Sequence, residues 1–146
     1  MFGKVKELIG QGKNRLAGNT DLLEGVSAAC VLVAAADGNV SDDEAIVALE
    51  RIQHNDTLTA AFTASQIETA FQKQVNRARQ GLTGRIALRR EIEEVRSKST
   101  AADCEMVLVI AIDVATADDD LGAKEIDALK TVGKCLGLDV NQYLNA

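Results

Sequence analysis

Apolar residues recur along this chain at the three- and four-residue spacing of amphipathic helices, and no segment alternates with a period of two. Segments 21–36 and 101–117 are apolar on nearly every side, which predicts two central buried helices. Helices with a single apolar stripe are predicted at 42–53, 64–79, 82–95 and 123–136, and a short one at 139–144. The pattern therefore predicts an all-α fold, a compact bundle of about seven to eight helices.

Individual residues set the predicted boundaries and faces of these helices. Ser41 and Glu44 form a capping-box pattern, in which each side chain satisfies an open backbone N–H of the first helical turn. Gly81 and Gly84 are predicted to break the chain before the helix at 82–95. Gly137 is placed as a left-handed C-terminal cap. The predicted inward stripe of 42–53 consists of Ala45, Ile46, Leu49 and Ile52.

The size and composition fit one globular domain. The chain has 146 residues, of which 47% are hydrophobic and 26% charged, and it contains no proline and no linker-like composition shift. Only three Phe and one Tyr are available, so the core must be built from Leu, Ile, Val and Ala, whose small volume lets helices approach closely. We predict a single helical domain over 1–146, made of two pseudo-equivalent halves at approximately 1–80 and 81–146.

Several classes of protein are disfavoured by the sequence. The longest apolar runs, 26–36 and 106–112, fall short of the roughly 20 residues that span a bilayer, and 1–7 lacks the apolar stretch of a signal peptide. A cytoplasmic location is therefore expected. The three cysteines show no metal-ligand spacing and are odd in number, so they are predicted to be reduced packing residues. No nucleophile or phosphate-binding motif is present, which argues against an enzyme.

Two acidic turns, 36–44 and 117–125, resemble each other 81 residues apart and indicate an internal repeat. Each follows an apolar segment, begins with Ala-Asp, and places a Glu seven residues after that first Asp. Segment 37–50 holds five carboxylates and no basic residue, and 113–127 holds six carboxylates with one lysine. Crowded carboxylates repel one another unless solvent or a cation relieves the repulsion.

These turns allow two interpretations. Hard cations such as Ca²⁺, Mg²⁺ or Mn²⁺ prefer sites made of oxygen ligands, although neither turn has the spacing of an EF-hand. The candidate metal ligands are Asp37, Asp43 and Glu44 in the first turn, and Asp118, Asp119, Asp120 and Glu125 in the second. Alternatively, the same carboxylates only cap helices and complement helix dipoles on a solvated face.

One segment, 73–98, is basic, with eight Lys or Arg residues against three Glu. Its local charge of +5 would suit an acidic partner or an anionic membrane surface, or it is simply a solvated helix face. No interleaved aromatic residues accompany the arginines, so nucleic-acid binding is not expected. The single histidine, His54, is predicted to lie at a surface helix end.

The first turn, Ala-Asp-Gly-Asn-Val-Ser-Asp-Asp-Glu at 36–44, resembles the A-D-G-x-[hydrophobic]-x-x-x-E turn of the TerB family of tellurite-resistance proteins. The segment 117–125 stands where that family repeats the motif, and 132–139 is similar to its last helix and cap. The resemblance implies an all-helical fold with two acidic clusters proposed to bind divalent metal. Carried over by position, the clusters are Asp37, Asp43 and Glu44, and Asp118 and Glu125. Asp119 departs from the family pattern, because it replaces a glycine.

The resemblance also implies a context and partners. The expected context is resistance to tellurite and related chemical stress. The expected partners are a TerC-type integral membrane protein and TerD-type proteins, which would bring the chain to the inner face of the membrane. The Ala-rich helix surface also permits a homodimer.

Overall fold

The computed structural model describes residues 18–117 and 121–144. These residues form eight helices and no strand, which confirms the all-α prediction. None of the described helices is long and apolar enough to cross a membrane. The helices are α1 (Thr20–Ala34), α2 (Asp42–Gln53), α3 (Asp56–Ala61), α4 (Ala64–Ala78), α5 (Gly81–Lys98), α6 (Ala101–Ala115), α7 (Ala123–Leu136) and α8 (Asn141–Leu144).

The two helices predicted to be central are α1 and α6. Helix α1 packs against α2, α4, α5, α6 and α7, so it is buried on most sides, and Val26 and Val31 are fully inaccessible to solvent. On α6, Val107 and Leu108 are fully inaccessible as well. Full burial of such a side chain contributes about 1.5–3 kcal/mol. The core therefore forms around these two helices, and the amphipathic helices cover them. The division into two pseudo-equivalent halves stays a prediction.

Most predicted helix boundaries are confirmed. They could be predicted because local hydrogen bonds and glycine conformations define them. Ser41 Oγ accepts the Glu44 N–H at 3.1 Å, and Glu44 Oε1 accepts the Ser41 N–H at 3.2 Å, which completes the capping box of α2. Gly137 ends α7 with φ 75° and ψ 29°, the left-handed conformation that glycine adopts at low cost.

The predicted break at Gly84 is wrong. Helix α5 begins at Gly81, whose φ is 70°, and continues through Gly84 as regular helix. Gly84 is buried against the end of α4, where an added Cβ would collide with the carbonyl oxygen of Arg77. The glycine is needed for this close approach of α4 and α5 rather than for a turn. A tertiary contact of this kind leaves no local signature.

The predicted inward stripe of α2 needs one correction. Ile46 is 55% exposed, whereas Ala48 and Ile52 are buried. The observed inward face consists of Ala45, Ala48, Leu49 and Ile52, at the spacing i, i+3, i+4 and i+7. Ile46 is one position away from this face and points outward. The hydrophobic residues Ile46 and Val47 of α2 are consequently left on the surface.

Helix α3 was not predicted. It has only six residues, too few for a hydrophobic period to emerge. Asn55 caps it, because its Oδ1 accepts the Leu58 N–H at 3.1 Å.

Candidate functional site

The first acidic turn and residues 122–125 of the second lie at one cleft. The cleft, of about 620 Å³, is formed by α1 and α6 together with α2 on one side and the start of α7 on the other. Asp37, Asp43 and Glu44 of the first turn and Glu125 of the second all line it. Glu44 and Glu125 are 81 residues apart in the chain, and the fold places both at the same cavity. The predicted ligands Asp118, Asp119 and Asp120 lie outside the described residues.

The first turn reverses the chain between α1 and α2. Gly38 has φ 100°, a backbone conformation that glycine adopts readily, and its N–H donates to the Ala35 carbonyl at 2.8 Å. Asp37 Oδ1 accepts the Asn39 N–H at 3.3 Å. This local hydrogen bond engages one oxygen of the Asp37 carboxylate, which lines the cleft.

Helix capping accounts for part of the acidic charge in the first turn. One carboxylate oxygen of Glu44 accepts the Ser41 N–H in the capping box. Asp42 forms an ion pair with Arg79, with 2.8 Å between Oδ1 and Nη2, and it does not line the cleft. The Arg79 Nε also donates to the Val40 carbonyl at 3.3 Å, so this arginine attaches the turn to the end of α4.

Glu125 has the same position in α7 that Glu44 has in α2. Each is the third residue of its helix, where the backbone N–H groups and the helix dipole favour a carboxylate. The residue before α7 is Gly122, which has no side chain with which to build a capping box. No side chain of the cap residue therefore caps the start of α7, and Glu125 is half-buried at the cleft.

No metal-binding group is formed by the described side chains alone. Among residues 18–117 and 121–144, no three His, Cys, Asp or Glu side chains are arranged to hold a metal ion. The metal interpretation therefore stays a prediction, and it depends on what residues 118–120 add to the four carboxylates at the cleft.

The inner wall of the cleft is apolar and carries one thiol. Cys30 is 3% exposed and is packed with Val33 and Val114, which line the same cavity. Burial, and secondarily the negative charge of Asp113, raises the pKa of Cys30 to about 12 from an ordinary value of 9.0. The thiol therefore stays protonated at neutral pH and is unsuited to act as a nucleophile. All three cysteines are buried and free, as the sequence predicts.

A buried polar contact near this region was missed by the sequence analysis. The Asn55 side chain is 4% exposed, and its Nδ2 donates to Asp113 Oδ2 at 2.8 Å. It thereby ties the start of α3 to α6, which contributes Ala111 and Val114 to the cleft. Asn55 stands in a polar stretch that resembles a surface loop, and its only sequence signal is the preference of asparagine for helix N-caps.

The basic segment 73–98 is partly neutralised within the molecule. Arg77 pairs with Glu91 at 2.8 Å, and Lys73 and Lys98 approach Glu24 and Glu94, each at 3.8 Å. Such pairs favour the interpretation of a solvated, internally paired helix face. His54 is exposed and is the C-cap of α2, with its Nδ1 2.6 Å from the Glu50 carbonyl oxygen, consistent with its predicted position.

Comparison with known proteins adds one finding. The family model described as Tellurite resistance protein TerB matches residues 23–146, a span that contains both acidic turns. Comparison with curated proteins and with solved structures produced no match.

Proposed function

The chain belongs to the TerB family of tellurite-resistance proteins, and we propose that it is a non-enzymatic member that binds a divalent cation between its two acidic turns. The observation that supports this proposal is the placement of Asp37, Asp43, Glu44 and Glu125 around one cleft. Carboxylates from two distant segments would repel one another there, and a cation between them would relieve that repulsion.

The available donors fit a hard cation. Asp37 and Glu44 each have one oxygen outside their local hydrogen bonds, and Glu125 lines the same cleft. The candidate donors are carboxylate oxygens, which suit Ca²⁺, Mg²⁺ or Mn²⁺ rather than Zn²⁺. The remaining donors would come from the second turn, at 118–120. A bound cation would neutralise the carboxylates and link the two turns.

Isothermal titration calorimetry with Ca²⁺, Mg²⁺ and Mn²⁺ tests this proposal. The wild-type chain should bind at least one of these cations, and Glu125→Gln or Asp43→Asn should weaken binding about tenfold or more. Asp56→Asn is the matched control, because Asp56 is an exposed acidic residue at the start of α3 that does not line the cleft. No binding at millimolar cation, or equal binding by all variants, would exclude the cation site.

A metal-free interaction module is the second candidate. It is favoured by the capping box of Ser41 and Glu44, the Asp37–Asn39 hydrogen bond and the Asp42–Arg79 ion pair. These contacts explain much of the first turn without a cation. On this alternative the calorimetry shows no binding, and the cleft serves only for docking.

Docking to a membrane-associated partner is a further part of the proposal. It rests on the family resemblance, which implies TerC-type and TerD-type partners. Co-purification of the full chain with a TerC-type membrane protein would support it, and failure in both the presence and absence of Ca²⁺ would count against it.

A further inference from the structure

We propose that the corner between α4 and α5 binds directly to an anionic lipid membrane surface. Leu82 enters the headgroup layer, and the neighbouring arginines contact the lipid phosphates. We define the α4–α5 corner as residues 79–90, which run from the end of α4 through the first half of α5. The proposal goes beyond the proposed function, because it requires neither a cation at the cleft nor a protein partner in the membrane.

The α4–α5 corner carries positive charge that the fold neutralises only in part. Residues 79–90 contain four arginines and no Asp or Glu, in a chain with a net charge of −6. Arg79 is paired with Asp42. Three further arginines form no ion pair with any residue in 18–117 and 121–144: Arg85, Arg89 and Arg90. Because Arg85 extends toward Gly38 of the first acidic turn, the other two are the ones left for an external anion.

The corner also exposes an apolar side chain at its tip. Residues 79–83 are all exposed to solvent, and Leu82, the second residue of α5, is 65% exposed. Among the described residues the other exposed large hydrophobic side chains are Ile46 and Val47, and both lie on α2, whose first turn is acidic. Leu82 is therefore the one of these three that lies in a basic stretch.

Helical geometry places arginines on both sides of this apolar tip. Ile86 follows Leu82 at i+4 and is half-buried, so the two side chains share one line along the helix. At about 100° per residue, Arg89 falls on one side of that line and Arg90 on the other. Apolar side chains flanked by basic ones are typical of helices that lie in a membrane interface. There the apolar side chains enter the headgroup layer while the guanidinium groups stay at the phosphates.

The surroundings of the corner favour a lipid surface over an acidic protein segment. A cavity of about 550 Å³ on this side of α5 has two arginines and two glutamates in its wall: Arg77, Arg90, Glu91 and Glu94. An acidic peptide seated in this cavity would be repelled by the two glutamates. A bilayer surface instead meets the exposed tip, and the basic stretch ends before Glu91, so the contact is confined to the first half of α5.

Sedimentation of the full chain with lipid vesicles tests the proposal. The probe is a vesicle of equal parts phosphatidylcholine and phosphatidylglycerol, and the control is a vesicle of phosphatidylcholine alone. EDTA is present and the vesicles contain no protein, so neither the cation site nor a membrane protein contributes. The chain should bind the mixed vesicles and not the neutral ones, and the binding should weaken as salt is raised.

Two charge-matched double variants locate the contact. Arg89→Gln with Arg90→Gln should weaken binding to the mixed vesicles about tenfold or more, because each basic residue near an anionic surface contributes about fivefold in affinity. Lys130→Gln with Lys134→Gln removes the same charge from exposed positions of α7 and should leave the affinity nearly unchanged. Circular dichroism verifies that each variant is folded.

The apolar tip has its own matched pair. Leu82→Ser should weaken binding about fivefold, whereas Ile46→Ser, at an exposed hydrophobic residue of α2, should not. Leu82→Cys can be labelled with a polarity-sensitive dye, because the three native cysteines are buried. The dye emission should shift to the blue on mixed vesicles, and the same dye on Ile46→Cys should show no shift.

Other outcomes would overturn the proposal. Equal binding by the corner variants and their controls would mean that the vesicles contact another part of the chain. Equal binding to neutral vesicles would remove the role of charge. Binding of soluble polyglutamate through Arg89 and Arg90, without vesicle binding, would assign the corner to an acidic protein segment. Failure of cation binding in calorimetry would leave vesicle binding in EDTA intact, and failure of vesicle binding would leave the cation site intact, so the two proposals are tested separately.

Discussion

The thiol at the cleft should make the protein sensitive to alkaline pH. Cys30 has a pKa of about 12 in the folded chain, against 9.0 as its ordinary value, chiefly because burial disfavours the thiolate. The folded state therefore keeps a proton that the unfolded state loses above pH 9. Its contribution to stability is fully present below pH 9 and is lost as the pH rises from 9 toward 12. Replacing Cys30 with Ala removes this dependence.

The size of the effect follows from the pKa difference. One pKa unit corresponds to about 1.4 kcal/mol, so at pH 10.5 the wild-type chain should have lost about 2 kcal/mol through Cys30 alone. At pH 7.5 the Cys30→Ala variant should be less stable than wild type by about 1–2 kcal/mol, because it leaves a small cavity. The deficit should therefore close or reverse near pH 10.5. Such a change is large against a total stability of about 5–15 kcal/mol.

Urea unfolding followed by circular dichroism at pH 7.5, 9.0 and 10.5, with a reductant present, measures this difference. Other groups that titrate at high pH, including Tyr143 with its pKa of about 12, are shared by both proteins, so the comparison isolates Cys30. Parallel stability curves for wild type and variant would refute the reasoning. Rapid labelling of Cys30 by a thiol reagent in the native state at pH 8 would refute it independently.

Substitutions at three further positions should have different effects on the free energy of unfolding. Gly84→Ala should cost about 3 kcal/mol, because its Cβ would meet the Arg77 carbonyl, and an unchanged urea midpoint would contradict the packing described for α4 and α5. Ser27→Ala should be neutral or stabilising by about 1 kcal/mol, since its buried hydroxyl has no hydrogen-bond partner among the described residues; a clear loss in a thermal melt would show that it has one. Asn55→Ala should lower the free energy of unfolding by about 2 kcal/mol, because it removes both the α3 cap and the hydrogen-bond donor to Asp113. Asn55→Asp can still cap α3 but cannot donate to Asp113, so it should also be less stable than wild type in urea unfolding.

The successes of the sequence analysis share a physical origin. The continuous apolar runs of α1 and α6, the apolar period of α4, the capping box of Ser41 and Glu44 and the left-handed cap at Gly137 all depend on residues within a few positions of one another. Such interactions are present in the chain before any tertiary contact forms, so the order and approximate ends of seven of the eight helices could be predicted.

The errors arose at positions where packing in the folded chain overrode a local preference. Glycine is typical of helix breaks, but Gly84 lies within α5, and it is glycine because the end of α4 leaves no room for a Cβ. Asn55 has the surroundings of a surface loop but is buried because Asp113 on α6 accepts its amide. Ile46 has the hydrophobicity of a core residue but lies outside because the other α2 residues complete the inward face.

The candidate site divides in the same way. The sequence by itself determined that two acidic turns precede two helices, and that Glu44 and Glu125 stand at the third position of those helices. Only the tertiary structure decided that the first turn and residues 122–125 of the second line one cleft, with Cys30 and Val47 in its walls. Helix formation is governed by spacing along the chain, whereas the meeting of the turns depends on how α1, α2, α6 and α7 pack around a shared core.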